Sequence, residues 1–208
     1  MRPFRPFVKP RKAPRFSALS LFLIPIGLTG CGPPDVSDPK QSTVDVATSP
    51  ADGPATPTIS LTDAAVAGDV DAVRRHIAAG TDLDTRQPTG GSTALIAAAS
   101  FGKRETAKQL IDAGADLEAK NNEGSTALHS AAFLCREGIV ADLLAAGADR
   151  NARNDAGATP LDSVDGTFEE AKPVYDFIAA VLGPYGLKLD YGRIKAARPV
   201  VAEMLREK

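Results

Sequence analysis

The stretch that decides the fold is Gly91-Ser92-Thr93-Ala94-Leu95, because the chain repeats it at a fixed interval. It returns 33 residues later as Gly124-Ser125-Thr126-Ala127-Leu128 and, after another 33, as Gly157-Ala158-Thr159-Pro160-Leu161. A constant period of this length is typical of stacked arrays, in which each unit buries the apolar face of its neighbour. We therefore expect a repeat array, and a function that depends on a binding partner.

Each period contains two apolar-periodic segments. Alanine-rich stretches at 61–68, 95–102 and 128–135 align with one another, and each is followed by a second segment that ends in Ala-Gly, at 79–80, 113–114 and 146–147. Glycine after a helix suits a left-handed helix stop. The pattern predicts two short antiparallel helices per period, whose small alanines allow close stacking.

These segments resemble the ankyrin repeat. Thr126-Ala127-Leu128-His129-Ser130-Ala131-Ala132 is similar to the Thr-Pro-Leu-His-x-Ala-Ala signature of that family, and 114–119 and 147–152 are similar to its Gly-Ala-Asp-x-Asn-Ala segment. The resemblance covers about 61–166 and implies a mainly α fold, an ankyrin-repeat solenoid of helix-turn-helix pairs with short β-hairpin fingers. The expected ankyrin-repeat domain is 61–208, with repeats at about 59–90, 91–123, 124–156 and 157–189 and a capping helix at 190–208.

The last unit departs from the repeat pattern. The interval from Gly166 to Gly183 is longer than the corresponding interval from Gly102 to Gly114, which predicts a lengthened outer helix with Pro173 in its first turn. A final helical element over 193–208 is expected to close the stack, with Pro199 breaking or restarting it.

The amino-terminal region predicts export. Residues 1–30 contain six basic side chains and no acid, and an apolar run of about 14 residues from Ser17 to Gly30 follows the basic start. That run is shorter than the ~20 residues needed to span a bilayer. A positive region, a short apolar region and small residues at its exit indicate a signal peptide over 1–30, the alternative being an uncleaved anchor.

Leu28-Thr29-Gly30-Cys31 resembles the lipobox of bacterial lipoproteins. The resemblance implies lipidation of Cys31, a membrane anchor and a cell-envelope location, with the periplasmic face of the outer membrane favoured if the cell has two membranes. Residues 31–60 are rich in Pro, Ser and Thr and poor in large apolar side chains, so we expect a disordered tether. Such a chain spans roughly 30 Å end to end.

Charge and residue spacing exclude several functions. Residues 31–208 carry 18 basic and 26 acidic side chains, which disfavours nucleic acid as a partner. Two isolated histidines do not make a metal site. The resemblance implies that His129 braces neighbouring repeats, and we expect His76 on a solvated helix face. Since no phosphate loop or nucleophile motif is present either, we expect a monomer that is not an enzyme and has no cofactor or small-molecule substrate.

Cys135 stands where Gly68 and Gly102 stand in the preceding units. The position usually needs a positive φ, which costs a residue other than glycine about 1–2 kcal/mol. If Cys31 is lipidated, Cys135 has no disulfide partner in the chain. We interpret it as a half-buried, inert thiol, with a redox sensor or an intermolecular bridge as alternatives.

The family resemblance implies that a partner contacts the finger tips and the exposed side of the first helices. By register, the expected partner-binding residues are Arg86, Gln87, Thr89, Ser92, Phe101, Lys120, Asn122, Glu123, Ser125, Phe133, Leu134, Arg153 and Asp155. Phe101, Phe133 and Leu134 are either an apolar binding strip or core residues packed between helix pairs.

Together these features predict a non-catalytic protein–protein interaction module. It is either a scaffold that localises a partner protein at the envelope or a dedicated inhibitor or regulator of one envelope enzyme or transporter. An enzyme or thiol redox sensor that uses Cys135 is a remote third interpretation.

Overall fold

The computed structural model describes residues 58–207, so the predicted signal peptide, Cys31 and most of the predicted tether lie outside the described residues. Within this range, two 3₁₀ turns, Leu161–Ser163 and Gly183–Tyr185, accompany eight α-helices. The helices are α1 (Leu61–Ala67), α2 (Val70–Ala78), α3 (Ala94–Phe101), α4 (Arg104–Asp112), α5 (Ala127–Phe133), α6 (Glu137–Ala145), α7 (Phe168–Leu182) and α8 (Tyr191–Arg206). None of these helices is both long and apolar enough to cross a membrane. The prediction of a mainly α fold is confirmed.

The helices form two stacked layers. Helices α1, α3 and α5 pack on one another as the inner layer, which the 3₁₀ turn at Leu161–Ser163 continues. Helices α2, α4, α6 and α8 form the outer layer in the same order. The alanine pairs at 64–65, 98–99 and 131–132 have no exposed surface, which lets the inner helices approach closely. The prediction of close stacking through small side chains is confirmed.

The repeated Gly-Ser-Thr segment is explained by the start of each inner helix. Thr93 and Thr126 are the N-caps of α3 and α5, and their hydroxyls accept hydrogen bonds from the N–H groups of Ile96 and His129. Gly91 and Gly124 have φ values of +64° and +70°, which are left-handed conformations that glycine adopts without strain. The repeated segment therefore encodes a turn followed by a helix N-cap.

The fingers between repeats are tight turns, and no β-strand is assigned to any of them within 58–207. Each finger is closed by a backbone hydrogen bond across its base, such as that from Asn121 N–H to the Ser125 carbonyl at 3.0 Å. Neighbouring fingers are joined as well, since Asp155 N–H donates to the Glu123 carbonyl at 3.1 Å. The fingers thus form a continuous edge along the stack.

Helix α8, and not the expected lengthened helix, completes the outer layer. The sequence predicted that the segment from Gly166 to Gly183 would be the outer helix of the last unit, but it is α8 that packs on α6. Helix α7 is an insertion between the 3₁₀ turn and α8. Its side chains Ile178 and Leu182 form an apolar cluster with Leu187, and Phe101 and Phe133, at the carboxyl ends of α3 and α5, pack against this cluster.

Both prolines lie inside helices, so the predictions for them were wrong. Pro173 is the sixth residue of α7, beyond its first turn, and Pro199 neither breaks nor restarts α8. Pro173 and Pro199 are exposed, as are Glu169 and Lys195 one turn earlier. The carbonyl that each proline leaves without an intrahelical donor therefore lies on a face that water can reach.

Candidate functional site

The predicted partner-binding residues fall into three groups by exposure. The exposed group lies on the fingers and consists of Arg86, Lys120, Asn122, Arg153 and Asp155. The half-buried group consists of Gln87, Thr89, Phe101, Glu123, Ser125 and Phe133. The buried group consists of Ser92 and Leu134. The open part of the candidate site is therefore the finger edge.

Three cations, Arg86, Lys120 and Arg153, stand at equivalent finger positions and are called the tip cations below. Arg86 donates to the Gly91 carbonyl at 3.1 Å and to the side-chain oxygen of Asn122 in the next finger at 3.2 Å. Lys120 Nζ donates to the Arg153 carbonyl at 3.0 Å, again across a repeat boundary. These hydrogen bonds hold the tip cations in place without neutralising them.

Within the part of the chain that the structure describes, no ion pair involves a tip cation. On the outer layer, by contrast, Arg104 forms a bidentate salt bridge with Asp142, with N–O distances of 2.8 and 2.9 Å. Glu123 lies on the same edge as the tip cations, and burial raises the pKa of its carboxyl, with a smaller contribution from Asp155. The finger edge therefore presents a row of uncompensated positive charges beside a few acids.

Ser92 and Leu134 do not belong to an exposed surface, and their inclusion was wrong. Ser92 is 8% exposed because it lies in the turn just before the helix cap, where its carbonyl accepts from Gln87 N–H. Leu134 is 2% exposed, since it follows the last residue of α5 and packs into the core.

The apolar strip is covered by the chain itself. Phe101 and Phe133 are half-buried and pack against α7 and the segment after it, which includes Leu187. Phe133 also stacks on Tyr175, with 4.9 Å between ring centroids. Of the two interpretations of this strip, the packing favours core. Sequence reasoning missed the cover, although the dense apolar pattern Val174, Tyr175, Ile178, Val181 and Leu182 was a visible signal.

Cys135 has a φ of +52°, as expected for a residue in a glycine position, and is 1% exposed. Burial raises the pKa of its thiol to about 11, although Arg198 and the Tyr175 hydroxyl act in the opposite direction. A thiol of this kind is a poor nucleophile at neutral pH. The geometry fits the inert interpretation of Cys135.

The two histidines are both structural. His129 contacts the Ala158 carbonyl of the next repeat at 3.1 Å and completes a capping box with Thr126, which confirms its bracing role. Burial lowers the pKa of its imidazole. His76 is buried, not solvated as predicted, because its ring nitrogens contact the Ile59 carbonyl and the Thr81 hydroxyl. In the described residues no group of His, Cys, Asp and Glu side chains could hold a metal ion.

Residues 61–154 match the family model of ankyrin repeats, in three copies. These residues are ankyrin repeats. The predicted ankyrin solenoid is thus confirmed, and the fourth unit, which the structure shows to be irregular, lies mainly beyond the matched range. Ankyrin repeats are generally protein–protein interaction modules and generally have no catalytic activity. No curated protein is similar enough to this chain to be matched to it.

Proposed function

We propose that this protein binds another protein through the finger edge of its ankyrin repeats and catalyses no reaction. The observation that carries the proposal is the row of tip cations, which recurs in three successive fingers and has no ion-pair partner within 58–207. Core packing accounts for the buried repeated residues, but it does not require a cation at each of these exposed positions.

The finger edge is suited to binding because it is preorganised. Hydrogen bonds from Arg86 to Asn122, from Lys120 to Arg153 and from Asp155 to Glu123 connect successive fingers. Side chains that are already fixed lose less conformational entropy when a partner binds. Rigid fingers therefore favour affinity without a large apolar contact.

The charge of the tip cations indicates an acidic partner surface. Complementary charges at the rim of an interface mainly raise the association rate and select the correct partner. We therefore expect binding to weaken as the salt concentration rises, because added ions screen exposed charges.

The second part of the proposal is location: the array is held at the cell envelope by a lipid on Cys31 and a tether over 31–60. Mass spectrometry of the mature amino-terminal peptide from membranes tests this part, with an acylated Cys31 expected. A Cys31→Ser protein should leave the membrane fraction. If the Cys31→Ser protein remains there, the anchor proposal is wrong.

Site-specific photo-crosslinking in cells tests the binding surface. A photoreactive amino acid at Asn122, on an exposed finger, should capture a partner protein, whereas the same group at Asp112, on exposed α4, should not. A single captured species supports a dedicated regulator, and several species support a scaffold. Equal capture from both positions would contradict the finger edge as the binding surface.

A further inference from the structure

A cavity of about 290 Å³ lies between α8 and the segment that joins the 3₁₀ turn Leu161–Ser163 to α7. This volume is near the lower end of the range of small-molecule pockets, roughly 300–1,000 Å³. Part of its wall is apolar and consists of Val164, Phe168, Pro199 and Ala202. The rest consists of Gly166 and four charged residues, Asp165, Lys195, Arg198 and Arg206. The cavity is far from the finger edge in sequence and belongs to the irregular fourth unit.

Arg198 is the unusual member of this wall, because it is a charged side chain that is only 5% exposed. Its guanidinium donates to neutral oxygens: the Tyr175 hydroxyl at 2.9 Å and the carbonyls of Ser163 and Gly166 at 3.5 and 3.4 Å. Its Nε is buried and has no hydrogen-bond partner. A buried charge normally has an opposite charge beside it, since desolvation is costly otherwise.

The other charges of the cavity are already paired. Lys195 pairs with Glu169 at 3.2 Å, and Arg206 pairs with Asp165 at 3.2 Å. Glu170 is nearby, but its carboxylate accepts a hydrogen bond from Thr167 N–H at 2.9 Å. This hydrogen bond is the main cause that lowers the pKa of Glu170, and the charge of Arg198 makes a smaller contribution in the same direction. Arg206 also pairs with Glu203, at 3.7 Å. In the described part of the chain Arg198 takes part in no ion pair, so its buried charge has no anion paired with it.

We propose that this cavity binds a small monocarboxylate with an apolar body. A monoanion would neutralise the buried charge of Arg198, while Phe168, Pro199 and the other apolar side chains would contact the hydrocarbon part of the ligand. Lys195 is exposed at the rim and can exchange Glu169 for the ligand, because a surface ion pair of this kind contributes little stability. A phosphate dianion is disfavoured by Asp165 and Glu169 beside the cavity.

Titration of the full chain with benzoate, followed by ligand-observed NMR, tests the proposal. We expect saturable binding with a dissociation constant on the order of 1 mM, which is typical of a ligand of this size. Benzyl alcohol, which has the same ring without the charge, should show no saturation. The Arg198→Met protein should lose benzoate binding, with circular dichroism used to check that it is folded.

Two exposed variants keep the test valid even if Arg198→Met does not fold. Lys195→Gln and Glu169→Gln break the same surface pair, yet they should change the affinity for benzoate in opposite directions, about two- to fivefold weaker and two- to fivefold tighter. A purely structural role of the pair would move both variants the same way. Lys108→Gln and Asp112→Asn break a comparable exposed pair on α4 and should leave the affinity unchanged.

Three results would overturn the proposal. One is the absence of saturable benzoate binding, or equal binding of benzyl alcohol. Another is an effect of the same sign, or no effect, in Lys195→Gln and Glu169→Gln. The last is tighter binding of inorganic phosphate than of benzoate, which would show that the cavity selects a different anion.

Discussion

Tyr175 donates its hydroxyl to the backbone carbonyl of Phe133 at 2.7 Å, and the two rings stack with their planes 29° apart. The contact joins the inserted helix α7 to the carboxyl end of the inner helix α5, where the Phe133 carbonyl otherwise accepts only from the Cys135 thiol at 3.9 Å. Arg198 donates to the same hydroxyl at 2.9 Å, so α8 is tied to this point as well. One buried side chain therefore connects the irregular fourth unit to the regular repeats.

Tyr175→Phe should lower the free energy of unfolding by about 1–3 kcal/mol, because it removes the strongest hydrogen-bond donor to the buried Phe133 carbonyl and the shortest hydrogen bond of the buried Arg198 guanidinium. Equilibrium urea unfolding of the full chain, followed by circular dichroism, measures the change. Tyr191→Phe is the matched control: its hydroxyl donates to the exposed carboxylate of Asp176, and its removal should cost about 0.5 kcal/mol or less. Equal losses in the two variants would contradict the linking role of Tyr175.

Gly124→Ala should destabilise the protein more than Gly157→Ala. Both glycines have a positive φ, +70° and +74°, so each alanine incurs a backbone cost of about 1–2 kcal/mol. At Gly124 the new Cβ would also lie 2.3 Å from Asp155 Oδ1 and 2.8 Å from the Asp155 backbone nitrogen, whereas at Gly157 it meets no atom within 4 Å. Urea midpoints that rank the variants the other way would show that adjacent fingers are not held together as described.

His129 should make stability depend on pH. Its pKa is lowered in the folded state, chiefly by burial, so the unfolded chain binds a proton first as the pH falls. The stabilisation is therefore complete above the ordinary value of 6.5 and is lost as the pH falls below it. Unfolding measured at pH 7.5 and pH 5.5 should show this loss, and His129→Gln should reduce it. If His76→Gln reduced the pH dependence equally, the assignment of the effect to His129 would be wrong.

The Cys135 thiol should resist alkylation until the protein unfolds. With a pKa of about 11, roughly one thiol in a thousand is ionised at pH 8, and the side chain is also buried. Iodoacetamide should therefore modify the peptide that contains Cys135 in urea but scarcely in buffer, as measured by mass spectrometry. Because the folded pKa is raised, the associated stabilisation is present below the ordinary thiol pKa of 9.0 and is lost as the pH rises above it. Rapid modification of the folded protein would revive the redox interpretation.

The regular part of the fold could be predicted because its determinants are local. Thr93 and Thr126 cap helices within three residues of themselves, and the alanine pairs carry the stacking pattern in every unit. A position in one finger can therefore be transferred to the next by adding 33 residues, or 34 from the first finger, which has one extra residue before Gly91. This is why the register located Arg86, Lys120 and Arg153 on the same edge.

The fourth unit could not be predicted because its arrangement depends on contacts between distant residues. Helices α7 and α8 both have apolar faces, and only the packing of α8 on α6 shows which of them belongs to the outer layer. The predictions for the two prolines followed local rules, which the packing of the surrounding helix overrides. His76 is buried through a contact with Ile59, which is 17 residues away in the sequence. Neither the packing of α7 on Phe133 nor the burial of Arg198 produces a periodic signal in the sequence.

The most direct test of the proposed function is partner capture by full-length protein in which the tip cations are reversed: Arg86→Glu, Lys120→Glu and Arg153→Glu together. The matched control reverses three exposed cations of the outer layer, Arg74→Glu, Arg75→Glu and Lys108→Glu, so that both proteins have the same net charge. Circular dichroism and urea midpoints establish that both are folded. We expect the wild type and the control to retain the same envelope protein and the finger variant to lose it. Retention of that protein by a folded finger variant would contradict the account.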